Sequence, residues 1–485
     1  MFKFLKGVLI LLFLLLQFLN LKAQTNAGAR KVPLLQKDSL IQDLIFLKGV
    51  LEEAHPSLYR YVSKDSMEVL FNSIEKKIEP QTLRDFRILL QKYVASIHSG
   101  HTYISPSPSS YSGATHFYFP FLVAVRNERL MIYRALEKSY DKYVGYEISA
   151  IQGEPATSVL ENVRHTISGE GHSTKYQDYK IERTMAFINV LYGMHAAIGK
   201  YNLELRDNKG NIIKETVPNY FYKRVDTSFA SYIPKELNKF EEMVKVSYPD
   251  SLSSSALLVL KGFAYNYRES KSLLAETFKV LKSRKISNLI IDVRGNKGGS
   301  LGSTIEVLRY LIPESFYAEF DSYAPVAVPS FSPHIFKGTG YALDKVPFEK
   351  RKDGGYTLKS SSSGKIPPYK DLVFNGKVYL LTDGGTFSAG SLFASCLKSN
   401  RKVISIGSET GGMESGLDTS PFLDVQLPYS KLVLHYPVFY TTIKQGENKG
   451  FGVVPDIEVE PTPFELFFKS DPVLRRVKQM INGTQ

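Results

Sequence analysis

Cysteine is almost absent: the 485-residue chain has one, Cys396, so no internal disulfide can form. A small disulfide-stapled secreted module is thereby excluded. No cysteine lies near the N-terminus, which disfavours a lipid-anchored start. Dense basic blocks are also missing. The net charge of +13 is scattered, as on a solvated surface attracted to anionic envelope components. No nucleic-acid-binding motif is present, and no internal repeat is seen. The chain is not depleted in core formers either: 43% hydrophobic and 22% charged residues are ordinary for a globular protein, which excludes disorder as the default.

One apolar run stands apart. MFKFLKGVLILLFLLLQFLNLKAQ carries Lys3 and Lys6, an apolar stretch from Val8 to about Leu19, and a polar flank. That is the pattern of a secretory signal peptide cleaved after Ala23, and the run is short for a membrane span. The expectation is an exported protein with no membrane span after cleavage. With one cysteine, a bacterial periplasm or cell envelope suits it, or full secretion. Cys396 lies on an apolar helical stripe with Leu392, Phe393 and Leu397, and buried packing is its expected role.

Beyond a linker at 25–37, three helices are predicted. Leu40, Leu44, Leu47 and Leu51 form one stripe, stopped at Pro56. Met67, Leu70, Ile74 and Ile78 form a second, and Phe86, Leu89, Leu90, Tyr93 and Ile97 a third, with Thr82 and Asp85 at its start. The loop HSGHTYISPSPSS follows. Between about 115 and 222 short aromatic and β-branched runs predict strands, YNLELRDNKGNIIKETV reads as a hairpin, and 172–197 reads as helical. From 223 strands and helices alternate: ALLVLKGF, SLLAETFKVLK, NLIIDV, STIEVLRYLI, VYLLTD, SLFASCLKS, VISIG. NLIIDV is continuously apolar, as a buried central strand is. The expectation is an α/β layered core, interrupted at 320–372 by a long irregular insertion.

Three glycine-rich loops follow strands of this core, where α/β proteins place ligands. DVRGNKGGS (292–300) lacks the lysine and spacing of a phosphate loop, but its amides can hold an oxyanion. TDGGTFSAGSLF (382–393) puts Ser388 at a helix start and Ser391 a turn inside. Ser388 is the better nucleophile, since the helix N-terminus favours developing negative charge. A plain capping serine is the alternative. GSETGGMESG (407–416) closes the same edge. A serine needs a base: His98, His101, His435 and nearby lysines are candidates, histidine being favoured by its near-neutral pKa. His98 and His101 have the spacing HxxH, but with no third ligand a metal is not expected.

Four blocks, SGHTYISP, LIIDVRGNKGG, LLTDGGTFSAGSLFA and GENKGFGVVPDIEV, together resemble the S41 serine peptidases, which include the tail-specific and tricorn-like proteases. VGYEISAIQGEPATSVLENV resembles part of a PDZ domain. The resemblance implies an α/β, ClpP/crotonase-like core over 223–485, an N-terminal helical cap over 24–110 and a PDZ-like β module over 111–222, after the signal peptide 1–23. It implies peptide or protein substrates and no cofactor. Tail-specific members take a lysine base from the glycine loop; Met413 stands there instead. By the tricorn-like pattern, Ser388 is the nucleophile, His101 the base and Glu447 the orienting carboxylate, with oxyanion donors among Gly298, Gly299 and Ala389. Gly100 departs from that pattern, which has a relay serine. Two other readings stay open: a hydrolase triad of Ser388, Asp424 and His435, and an inactive S41-like peptide- or lipid-binding protein.

Overall fold

A computed structural model describes residues 33–105, 117–184, 186–194, 199–221, 240–317, 320–336, 343–359, 364–443 and 450–483. The N-terminal apolar run and Glu447 therefore lie outside the described residues. Among the described residues, no helix is long and apolar enough to cross a membrane.

The alternating C-terminal pattern folds as a six-stranded sheet. Its spatial order is Val244–Ser247, Ser255–Leu260, Asn288–Asp292, Lys377–Thr382, Ile404–Gly407 and Ile457–Glu458. Only the first pair is antiparallel; the other neighbours run parallel. The central strand Asn288–Asp292 is apolar on both faces, and Leu289, Ile290 and Ile291 are fully buried, as a strand covered by helices on both sides requires. The helices Tyr267–Ser283, Leu301–Leu308 and Ala389–Asn400 supply Leu274, Phe278, Val307, Leu392 and Phe393 to one core. Val473 and Val477 of the helix Pro472–Asn482 cover the opposite face around Ile290 and Leu381. Cys396 is buried in the first of these cores, and burial pushes its thiol up to about 12.

The three N-terminal helices are Lys37–Ala54, Lys64–Glu75 and Leu83–Ala95. The second and third start where short hydroxyl side chains can cap them: Ser63 accepts from Ser66 N and Thr82 from Asp85 N. Their apolar stripes do not close on themselves. Leu40, Leu44, Leu47, Phe86 and Leu90 share a core with Leu423, Val425, Leu434 and Tyr436, which lie on the long antiparallel pair Gly416–Gln426 and Val433–Ile443. Tyr103–Ser105, just after the third helix, adds to that pair against Val433–His435. The helical segment and the C-terminal strands are thus one packed unit, and this packing carries the loop around His101 toward the main sheet.

Residues 117–221 hold a separate antiparallel sheet, ordered Ile212–Pro218, Lys200–Arg206, Glu147–Ile151, Arg129–Ala135 and Phe121–Arg126. The hairpin over 200–218 has the expected register. Helices Lys175–Arg183 and Ala186–Met194 occupy the region read as helical. The 320–372 segment is less irregular than its sequence suggests. Phe320–Tyr323 pairs with Tyr440–Ile443, and Phe348–Lys350 pairs with Tyr356–Leu358. Its aromatic residues, Phe348 and Tyr356, pack on the helical core, which is the physical reason it orders.

Candidate active site

The three glycine loops meet at Ser388. This residue precedes the helix Ala389–Asn400 with φ 53 and ψ −127, and its side chain makes no capping hydrogen bond. A non-glycine residue held at positive φ is strained by roughly 1–3 kcal/mol, so the surrounding structure must impose it. That structure is visible. Phe387 N donates to Asn296 O (2.9 Å). Thr386 Oγ1 donates to Val293 O (2.9 Å), and Gly295 N donates to Asp383 Oδ1 (2.8 Å). From the third loop, Gly411 N and Gly412 N donate to Thr386 O (2.9 and 3.2 Å). Ser391 differs: it is buried, and its hydroxyl donates to Thr386 O (2.9 Å).

Glycine is required where these loops touch. A Cβ at Gly298 (φ +93) would lie 2.7 Å from Ala389 N and 2.8 Å from Ser388 Cβ. One at Gly412 would lie 2.5 Å from Ser391 Oγ and 2.8 Å from Ser388 N. The amides around Ser388 are not equivalent. Gly298 N donates to Asn296 Oδ1 (2.8 Å). Ala389 N and Gly299 N have no acceptor among the described residues.

His101 lies against the residue before the serine. Its ring stacks on Phe387 (centroids 4.7 Å apart, 29°) and on Phe422 (5.1 Å, 10°). The stack continues on both sides. Tyr176 covers Phe387 at 4.0 Å, and Lys180 Nζ sits 4.3 Å over Tyr176. On the other side Phe422 faces His435 (5.4 Å), which faces Tyr103 (4.7 Å). Ser388 Oγ and His101 are not hydrogen-bonded in this conformation. His435 is further away by one more ring, and its Nδ1 is paired with Asp424 Oδ1 (2.7 Å). The arrangement therefore gives the His435 triad no direct access to Ser388. His98, also named from the sequence, has φ 59 and lies beside His172 (6.4 Å).

The electrostatics favour a neutral imidazole at position 101. Burial, then the nearby His435 and Lys180 charges, push His101 down to about 3. Burial and Lys297 likewise push Lys180 down to about 8. The carboxylate facing His101 is one the sequence reading missed: Glu170 Oε2, 3.9 Å from Nδ1. Glu170 is 2% exposed; its Oε2 accepts from Gly100 N (2.8 Å). Burial and the neighbouring Asp418 raise its pKa well above the usual carboxylate range. Asp418 accepts from Ser99 Oγ (2.5 Å) and Ser57 Oγ (2.9 Å), and burial raises it to about 6. Ser99 also bonds Thr102 Oγ1 (2.7 Å), which bonds His55 Nε2 (2.8 Å). Nothing in SGEGH marks Glu170 as functional, because its partner lies 70 positions upstream. Met413 is 1% exposed, and a Cβ at Gly171 would lie 2.4 Å from its sulfur.

Residues 254–459 match the family model for peptidase family S41. That span holds Ser388 and all three glycine loops, but neither His101 nor Glu170. Among solved structures, mature CPAF complexed with lactacystin is similar at 16% identity, covering 92% of this chain and 99% of that chain with a TM-score of 0.61. Mature CPAF alone gives 16% identity, 92% and 98% coverage and the same TM-score, 0.61. The photosystem II D1 C-terminal processing protease gives 14% identity, 89% and 96% coverage and a TM-score of 0.40. At these identities the CPAF likeness concerns the fold. No curated protein sequence matches the chain.

Proposed function

We propose that this chain, a serine-type peptidase of family S41, hydrolyses peptide bonds through an acyl-enzyme on Ser388 with His101 as the general base. One observation carries the reading: an uncapped serine at a strained helix start, bordered by two amides without acceptors among the described residues and by a largely buried imidazole stacked on its neighbour Phe387.

His101 Nε2 takes the Ser388 proton as Oγ attacks the substrate carbonyl. Ala389 N and Gly299 N hold the developing oxyanion; Gly298 shapes the hole, since its own amide is bonded to Asn296. His101 then protonates the leaving amine, and water releases the acyl group. The stacking on Phe387 and Phe422 fixes the plane of the ring. Closing the remaining gap between His101 and Ser388 requires a small adjustment on substrate binding, as catalytic hydrogen bonds commonly tighten in the substrate complex.

Glu447 keeps the orienting role that the family resemblance implies for it. Within the described residues, Glu170 is the carboxylate that faces Nδ1; it is a positioning residue that stabilises the imidazolium. We also infer export, on the Lys3–Lys6 and apolar pattern ahead of Ala23, and a substrate-presenting role for the PDZ-like segment, on its resemblance alone.

A fluorophosphonate probe tests the proposal. The mature chain should label, Ser388→Ala should not, and Ser391→Ala should keep its labelling. No labelling of correctly folded protein favours the inactive peptide- or lipid-binding reading.

A further inference from the structure

The groups behind His101 can do more than support peptide hydrolysis. His101 Nδ1 and one oxygen each of Glu170 and Asp418 all lie within 4.8 Å of one another. His101 Nδ1 and Glu170 Oε1 are buried with no hydrogen-bond partner among the described residues. Leaving such atoms unpaired costs roughly 1–3 kcal/mol each, and native proteins rarely do so. A ligand that joins them would recover that cost.

The donor set narrows the ligand. With both carboxyls ionised, the set of two carboxylates and one neutral imidazole carries two negative charges, which a divalent cation neutralises as it displaces their protons. One nitrogen donor disfavours magnesium and calcium, which take oxygen, and suits zinc and its neighbours. Zinc bonds of about 2.1 Å in a tetrahedral shell space the donors roughly 3.4 Å apart. The His101–Glu170 separation of 3.9 Å is therefore close to a liganded one, and the widest pair must draw in further. Asp418 is already oriented from behind by Ser57 and Ser99, as metal-bound carboxylates usually are.

We propose that His101, Glu170 and Asp418 form a binding site for a divalent transition-metal ion, zinc being the reference ion, and that occupancy switches the peptidase off. The switching part rests on His101 being the general base. A metal on Nδ1 confines the imidazole proton to Nε2. That nitrogen then has no lone pair to accept the Ser388 proton, so acylation stops without any change at the serine.

The test uses the mature chain treated with EDTA. Calorimetry with zinc chloride should give one tight site per chain. Zinc should lower kcat/KM at least tenfold, and EDTA should restore it. Zinc should also protect His101 from acylation by diethyl pyrocarbonate, read by mass spectrometry on the wild-type chain. Asp418→Asn, outside the hydrolytic machinery, should need at least tenfold more zinc for binding and for inhibition. The site is refuted if the wild type lacks a stoichiometric zinc, if zinc leaves His101 as reactive as before, or if Asp418→Asn binds zinc as tightly as wild type. Binding with undiminished hydrolysis refutes the switch. Because calorimetry and histidine protection do not need turnover, a chain that fails to hydrolyse peptides still decides the metal site.

Discussion

Gly100→Ser would write into this chain the relay serine that the tricorn-like pattern carries before its histidine. Sequence logic alone expects it to be harmless or helpful. The structure argues the opposite. A Cβ at Gly100 would fall 2.6 Å from Phe387 Cζ and 2.9 Å from Glu170 Oε2, where van der Waals contact needs about 3.5 Å or more. No backbone strain is involved, since Gly100 is not at positive φ; only space forbids the side chain. Phe387 has little room to move, because Tyr176 stacks on its ring face at 4.0 Å. Glu170 is held by the Gly100 amide itself. Overpacking of this kind costs about 1–3 kcal/mol. The displacement falls on the residue before Ser388 and on the ring that fixes His101, and a misplacement near 1 Å costs about 100-fold in rate. The expected result is a kcat/KM about 100-fold below wild type on a reporter peptide, with circular dichroism unchanged and a modestly lower Tm. Gly100→Ala should behave alike, since the Cβ does the damage. A Gly100→Ser enzyme as active as wild type would refute the packing argument.

Two further predictions concern the same few residues. Because burial lowers His101 to about 3, its base form persists as pH falls from 7 to 5, and kcat/KM should change less than about twofold. An ordinary imidazole, of pKa about 6.5, would lose about 25-fold over that range. An acid limb at or above pH 6.5 in the pH–rate profile would contradict this. The same lowered pKa gives a stability contribution that is full above pH 6.5 and lost as pH falls toward 3. Gly298→Ala should combine the positive-φ penalty, about 1–2 kcal/mol, with a methyl 2.7 Å from Ala389 N. Blocking an oxyanion donor costs about 3 kcal/mol, so kcat should fall at least 100-fold, checked by steady-state kinetics.

The sequence made some of this legible and some not, for definite reasons. The buried strand Asn288–Asp292 announces itself by the unbroken apolar run Leu289–Ile291, and the helix Ala389–Asn400 by the spacing of Leu392, Phe393, Cys396 and Leu397. The glycine loops are readable because only glycine permits their close contacts with Ser388. Tertiary neighbours are not encoded locally. Asp418 reaches Ser99 across 319 positions, and Phe422 finds His101 only because two antiparallel strands carry it there. The shared core of the N-terminal helices and the C-terminal strands was hidden for the same reason. An apolar stripe states that a face is covered, not by what.

Met413 links these observations. It stands where tail-specific members carry their lysine, and its sulfur crowds Gly171, the residue after Glu170. Met413 is 1% exposed, and an ammonium buried there would be costly unless fully paired. An apolar side chain keeps that floor dry. Under the proposed assignment the base comes instead from the loop after the third helix, as His101. Among the described residues His101 Nδ1 has no hydrogen-bond partner, and aromatic faces flank its ring: Phe387 from the nucleophile loop and Phe422 from the strand pair that packs on the helices. Under that assignment the methionine, the glycine at position 100 and the ring stack act together, and the plane of a base lying outside the 254–459 span is set by aromatic packing.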